Sequence, residues 1–231
     1  MKRRLAVIPA RGGSKRIVNK NTRDFCGNPM ISYVLRAAAE SGLFDVIHVS
    51  TDSEGIRETV ENLGFPINFM RPTELADDHT PIMPVLKYVT DTYASCGQEF
   101  DEVWLLMACS PLIEMHDLQE AAKLFERSVC SKSLMAVAEY PVPIEWAFCR
   151  EIDGTLKPVQ SGMFSVRSQD LEKKYFDAGM FVVYSSSVVR GSEGAGSDSD
   201  YIGYLLSKGK AIDIDDEDDW AIAEALYRNR K

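Results

Sequence analysis

The chain has 231 residues, 45% apolar and 26% charged, enough to bury a sizeable core without a metal or a disulfide to staple it. Its formal net charge of -9 excludes a general polyanion binder, because non-specific nucleic-acid affinity needs many spread cations. The five cysteines (Cys26, Cys96, Cys109, Cys130, Cys149) are odd in number, widely spaced and without a C-x-x-C, so reduced thiols in a cytoplasm are expected rather than a disulfide framework or a zinc site.

Met1-Lys2-Arg3-Arg4 has the charge of a signal-peptide start, but the apolar run behind it covers only residues 5–8 before Pro9 and Arg11 interrupt it. No segment approaches the roughly 20 apolar residues of a membrane helix, so a soluble, cytoplasmic chain with no membrane partner is expected. Residues 5–8 read as a buried strand, and 30–40 as a helix with Ile31, Val34, Leu35 and Ala38 on one face. Residues 45–50 are a strand and 53–64 a helix, in which Ile56, Val60 and Leu63 recur at helical spacing before Gly64 stops it. A short strand at 66–70, a helix at 84–94, a strand at 102–108, a helix at 117–127 and a strand at 133–140 follow. Repeated β-α units predict an α/β fold with a mostly parallel sheet and helices on both faces.

After Tyr140 the pattern breaks, and residues 141–175 mix aromatic, charged and turn residues with no helical period. They read as an excursion from the sheet within one domain spanning 1–231. Its apolar residues Ile144, Trp146, Phe148, Met163 and Phe164 have no periodic face to bury on their own sheet, which predicts a two-fold homodimer made through it. Residues 178–184 return to strand, 191–200 are a flexible loop, 210–215 a strand and 217–229 a terminal helix burying Trp220, Ala223, Leu226 and Tyr227.

Ligands of open α/β sheets sit outside the carboxyl ends of the strands, where the loop after residues 5–8 must lie. That loop carries Arg11, Gly12, Gly13, Ser14, Lys15, Arg16, Lys20 and Asn21. The glycines let the backbone approach a ligand and form an anion-binding nest, and the cations add full charges, so a polyphosphate fits. Neither a Walker A nor a G-x-G-x-x-G spacing is present. The competing reading is a solvated basic surface loop.

Residues 213–219 hold six carboxylates in seven positions. Asp216, Glu217, Asp218 and Asp219 suit the first turn of a helix, whose dipole favours acids. Asp213 and Asp215 alternate with Ile212 and Ile214, so on a strand both project to one face. Such a pair either holds a cation, with hard oxygen ligands beside a phosphate pointing to Mg²⁺, or extends the helix cap. A cationic loop and a carboxylate pair are the parts of a phosphoryl or nucleotidyl transferase. Among single residues, His79 reads as a surface histidine or a sugar contact, Cys109 as a small packing residue, and Asp52 as a cleft residue or a cap for the following helix.

"IPARGGSKRIVNKN", "FDVIHVSTDSEGI", "MRPTELADDHT", "SPL", "RSQDLE", "DAGMFVVY" and "DIDDEDDW", in this order, resemble the CMP-nonulosonate synthetases, cytidylyltransferases that activate nine-carbon acidic sugars. "ELADDHT" and "RSQDLEKKYFDAG" are most similar to the pseudaminic acid branch. The resemblance implies a doubly wound, nucleotide-diphospho-sugar transferase-like sheet and a reaction of CTP with a nonulosonic acid to give a CMP-sugar and pyrophosphate. It implies that Ala10, Arg11, Gly12, Gly13, Ser14, Lys15, Lys20, Asn21 and Arg71 hold the nucleotide, with Arg11, Lys15, Lys20, Asp213 and Asp215 serving catalysis. Asp213 and Asp215 would bind Mg²⁺, Arg167 and Gln169 would lie near the sugar with His79, and 141–175 would form the dimer contact. Met107 stands where sialic acid members carry Gln, Met180 where the pseudaminic branch carries Gln, and Pro81-Ile82-Met83 where that branch has small and hydroxyl residues. CMP-sialic and CMP-legionaminic acid synthetases are therefore alternatives, and a non-catalytic nucleotide-binding protein is the rival from another class.

Overall fold

The computed structural model describes residues 2–77, 79–128, 132–197 and 199–230, so Met1 and Cys130 lie outside the described residues. The central sheet contains β1 (Arg4–Pro9), β4 (Val46–Ser50), β5 (Glu102–Leu106), β6 (Ser133–Glu139), β9 (Tyr175–Ser185) and β10 (Tyr201–Leu205), in the order β10-β6-β9-β5-β1-β4. Within it β1 runs parallel to β4 and β5, β10 runs parallel to β6, and β9 is antiparallel to both of its neighbours. The sheet is thus mostly parallel, as the β-α alternation requires.

Successive residues of β1 enter opposite cores, because side chains alternate across a strand. Ala6 and Ile8 pack with Leu35 of α1 (Ile31–Ser41) and Leu118 of α4 (Met115–Arg127), while Leu5 and Val7 pack with Leu86 and Val89 of α3 (Ile82–Ser95). Helices therefore cover both faces. α2 (Glu54–Asn62) starts at Ser53, whose Oγ accepts the Ile56 N–H, and buries Ile56 and Val60 in the first core. α3 begins two residues before the expected start, since Pro84 in a first turn forfeits no helical hydrogen bond.

A third apolar cluster sits beyond the strand ends. A tight hairpin joins β2 (Asp24–Phe25) to β3 (Asn28–Pro29), with Cys26 and Gly27 both at positive φ, the requirement of a primed two-residue turn. It points Phe25 inward, where the ring meets Trp220 edge-on at 5.5 Å and Tyr227 at 5.7 Å, both on α6 (Glu217–Arg228). Ile17, Met30 and Ile214 complete this cluster.

Two expected strands are absent. Residues 66–70 form no strand: Ile67 fills the first core and Phe69 the second, so packing fixes them without a ladder. Residues 210–215 also form no strand, because side chains take their backbone groups: Lys20 Nζ donates to the Ile214 carbonyl at 2.6 Å, and the Asp219 carboxylate accepts the Asp215 N–H at 3.0 Å. Conversely β10 follows the Gly/Ser-rich loop unannounced, and a short helix, α5 (Ser186–Gly191), precedes that loop. The excursion leaves after β6, contains a small hairpin of β7 (Phe148–Arg150) and β8 (Leu156–Pro158), and ends where β9 begins at Tyr175. No helix among the described residues is long and apolar enough to cross a membrane.

His48 on β4 is 1% exposed, stacks on Phe69 at 4.3 Å and meets the Tyr93 hydroxyl through Nδ1 at 3.2 Å. Burial, reinforced by the nearby Arg71 charge, pushes its pKa down to about 4. The unfolded chain takes up this proton near pH 6.5 and the folded one resists until about pH 4, so the site costs stability as pH falls through that window, by about 3 kcal/mol in total. In urea titrations from pH 6.5 down to 4, His48→Phe is expected to lose that much less stability than the wild type. Parallel curves for the two proteins would show that His48 charges freely in the folded state.

Candidate active site

The loop after β1 is anchored before it reaches the cleft. Ala10 donates its N–H to the Ser50 carbonyl at 2.9 Å, which ties the loop to the end of β4. The same carbonyl accepts Arg71 Nη2 at 2.6 Å, and Ser50 Oγ accepts Arg71 Nε at 3.0 Å. Arg71 is 7% exposed, and burial pushes its pKa down to about 10, with Asp52 opposing and Arg11 reinforcing the shift. It lies behind the loop as a brace rather than in the cleft lining.

Gly12 donates its N–H to the Asp52 carboxylate at 3.0 Å, and a Cβ on Gly12 would lie 2.9 Å from that of Ser53. Glycine is needed here for close approach. Asp52 thus holds the loop, and Ser53 caps α2. Further along, buried Ile17 pins the loop into the third cluster, and Asn21, 7% exposed, donates Nδ2 to the Arg11 carbonyl at 3.2 Å while its Oδ1 accepts the Cys109 thiol at 3.3 Å.

Arg11, Ser14, Lys15, Lys20 and Asn21 then face Asp213 and Asp215 across a cleft of about 190 Å³. Pro9, Arg16, Ile17 and the residues that follow β5, Met107, Ala108 and Cys109, complete its lining. Gly12 lines a second hollow of about 160 Å³ on the α2 side of the loop, which shares Arg11, Ser14 and Asn21 with the first. Ala10 is buried beneath, and Gly13 is exposed with open space around it.

The acid pair is fixed by backbone rather than by strand pairing. Asp219 on α6 accepts the N–H groups of Asp215 and Asp216, and Asp216 caps the helix. Asp219 therefore does more than complement the helix dipole: it aims the segment carrying Asp215. Gly179, at φ +66 beside the register shift of β9, leaves room for Asp213, whose Oδ2 lies 3.3 Å from where a Cβ would stand. Burial first and the Asp215 charge second raise the Asp213 pKa, against Lys20 and Arg16. Asp215 pairs with Arg16 at 2.7 Å and has Lys20 at 3.7 Å.

Two adjacent carboxylates opening on a cationic cleft suit a hard divalent cation that takes its remaining ligands from water and phosphate, the habit of magnesium. Among the described residues no group of three His, Cys, Asp or Glu gathers to hold a metal alone.

Other expected residues lie apart. His79 is exposed, with its N–H on the Asp77 carboxylate; the Asp77 carbonyl accepts Arg11 Nη1 at 3.1 Å, which places this turn beside the cleft. Arg167 and Gln169 are exposed in the excursion, Arg167 forming a two-pronged pair with Asp170 at 2.8 and 3.2 Å, and neither lines the cleft. Sequence reasoning counted Arg16 among the loop's cations without its link to Asp215, missed Gly179 and Asp219 as parts of the site, and treated Cys109 as packing. Its thiol does pack, and burial pushes its pKa up to about 11, which removes it as a nucleophile. The position of "LLMACSP" at a strand's carboxyl end was the available signal for its place in the lining.

Comparison with known proteins bears on the family and the fold. A family model described as cytidylyltransferase matches residues 5–128. The chain is 35% identical to the pseudaminic acid cytidylyltransferase of Campylobacter jejuni, over 97% of this chain and 96% of that one. It is 31% identical to the CMP-N,N'-diacetyllegionaminic acid synthase of Legionella pneumophila, over 96% and 95%. The fold matches the structure of a CMP:2-keto-3-deoxy-manno-octonic acid synthetase complexed with CTP, with a TM-score of 0.72 at 16% identity over 99% of this chain and all of that one. A nucleotidyltransferase constellation on this fold, within these sequence similarities, places the chain in the cytidylyltransferase family.

Proposed function

We propose that this enzyme couples CTP to a nonulosonic acid, pseudaminic acid, giving the CMP-sugar and pyrophosphate. The observation that carries the reading is the cationic loop held opposite Asp213 and Asp215 across one cleft, in a chain 35% identical to a pseudaminic acid cytidylyltransferase. The anomeric hydroxyl of the sugar attacks the α-phosphorus and gives up its proton to water; a phosphorus–oxygen bond forms as the bond to the bridging oxygen breaks, and pyrophosphate leaves with that electron pair. Arg11, Lys15 and Lys20 spread the charge of the phosphates, and the N–H of exposed Gly13 adds a neutral donor, that of Gly12 being held by Asp52. Asn21, buried and doubly bonded, positions the nucleoside, Ser14 faces the phosphates from the cleft lining, and Ala10 and Arg71 keep the loop in register with β4. Asp213 and Asp215 would hold Mg²⁺, which supplies charge neutralisation to the phosphates when bound.

The apolar side chains of the excursion remain uncovered, with Phe164 71% and Leu156 56% exposed, and Phe148 packing edge-on against Phe164. A two-fold dimer through this hairpin would cover them. Arg167 and Gln169, which stand outside their own cleft, would then act on the sugar in the partner's cleft, with His79 at the rim. The likeness to a legionaminic acid synthase favours a second reading in which that sugar is the substrate. A cytoplasmic setting suits five cysteines with no disulfide pattern.

The deciding experiment offers CTP, Mg²⁺ and a panel of nonulosonic acids and follows pyrophosphate. Pseudaminic acid is expected to exceed N-acetylneuraminic acid in kcat/KM by at least about a hundredfold, a ratio that one well-used pocket contact supplies. Comparable values for the two would overturn the branch, and equal turnover with ATP or GTP would overturn the cytidylyl reading.

Asp213→Asn and Asp215→Asn should each leave the fold intact and lower kcat by roughly a hundredfold or more, since each removes an ion ligand that stabilises charge in the transition state. Asp218→Asn is the control: its side chain is exposed on the outer turn of α6 and the rate should change little. Wild-type rates in both cleft mutants would return the pair to a capping role.

For the assembly, light scattering at micromolar concentration should give twice the chain mass. Phe164→Glu together with Leu156→Glu should halve it, and a wild-type monomer would sink the dimer.

A further inference from the structure

Arg16 and Lys20 both reach Asp215, yet they are built differently. Lys20 is mostly enclosed and donates to the Ile214 carbonyl at 2.6 Å, so its head group is fixed by backbone and stands off Asp215 at 3.7 Å. Arg16 is 68% exposed along its side chain, rises from the glycine-rich loop and closes on Asp215 at 2.7 Å. Together the two cations balance the two carboxylates, so the chain supplies its own neutrality at the acid pair.

We propose that Arg16 is a place-holding cation: it neutralises Asp215 until a divalent ion arrives, yields that carboxylate to the ion, and turns to the phosphates of the nucleotide. The inference rests on the metal reading of Asp213 and Asp215 given above. A guanidinium within hydrogen-bond distance of Asp215 cannot stay beside a bound dication without strong like-charge repulsion, whereas an exposed ion pair is cheap to break. Lys20, tied to the backbone, stays. Arg16 is on the same loop as Arg11, Ser14 and Lys15 and lines the same cleft, so its released charge is already beside the triphosphate site. Metal binding alone therefore costs the Arg16 pair, and the nucleotide returns that interaction. The two ligands must then favour one another by equal factors.

The test is Mn²⁺ binding to the full chain by calorimetry, with and without CTP, which reads the ion directly and needs no turnover. Arg16→Gln is expected to bind Mn²⁺ alone about three- to tenfold more tightly than the wild type, because the competing cation is gone. Arg16→Lys, which keeps the charge, should bind close to the wild type. The factor by which CTP tightens Mn²⁺ binding should shrink in Arg16→Gln by a similar amount. Affinity in Arg16→Gln equal to or weaker than wild type would overturn the place-holding role while leaving the metal site standing. Asp213→Asn binding Mn²⁺ as tightly as the wild type would overturn the metal reading itself, and this inference with it. The side chain is at the surface, and circular dichroism of each variant verifies that the fold is kept.

Discussion

Everything at this site depends on holding two segments of opposite charge nearly 200 residues apart in sequence across one narrow cleft, and the holding is done by apolar contact beneath them. Ile17 under the basic loop and Ile214 between the two carboxylates enter one cluster, closed by Phe25 and Trp220. Without it, Lys15 and Arg16 would be solvated side chains on a free loop, and Asp213 and Asp215 would repel each other apart. Charged groups held in place before the reaction cost no reorganisation when charge develops, and this is where most electrostatic catalysis comes from. The floor of the cleft is therefore a functional element, although no residue in that cluster carries charge.

The backbone of the acid segment shows how a fold can meet the geometry of a strand without being one. Alternation with Ile212 and Ile214 suggests a strand at 210–215, and the consequence drawn from it, that Asp213 and Asp215 share a face, agrees with both lining the cleft. The ladder is missing because Lys20 and Asp219 occupy the backbone groups a neighbour would use. Sequence periodicity reports side-chain burial and is silent on which group satisfies a carbonyl. The same silence explains residues 66–70, where Ile67 and Phe69 alternate between two cores with no partner strand. It also explains β10, whose exposed Leu205 and interior Gly203 give little alternation to read.

What was legible follows from strong, local physics. The parallel strands and covering helices were visible because β1, α1, α2 and α4 each bury a continuous apolar stripe, and the loop's place followed from topology alone. What was not legible is the set of residues whose work depends on distant partners. Gly179 matters through Asp213, and Asp219 through Asp215; neither has a signature in its own neighbourhood. Arg167 and Gln169 are the reverse case, since a motif named them and a single chain leaves them outside the cleft lining.

The cleft also separates what the charges can decide from what they cannot. In the proposed reaction Arg11, Lys15 and Lys20 would attract any triphosphate, so they would set affinity for the class and be blind to base and sugar. Discrimination has to come from groups of fixed direction and from shape. Asn21 is such a group: its amide is oriented at both ends, Nδ2 by the Arg11 carbonyl and Oδ1 by the Cys109 thiol. Met107 is another kind, an apolar side chain 38% exposed beside the acid pair, where a hydroxyl-rich sugar would leave its polar groups unmatched. A flexible thioether tolerates acyl and methyl groups better than it tolerates a buried hydroxyl. In the proposed reaction the neutral residues of the cleft, more than its charges, would therefore decide which member of the nonulosonic acids fits.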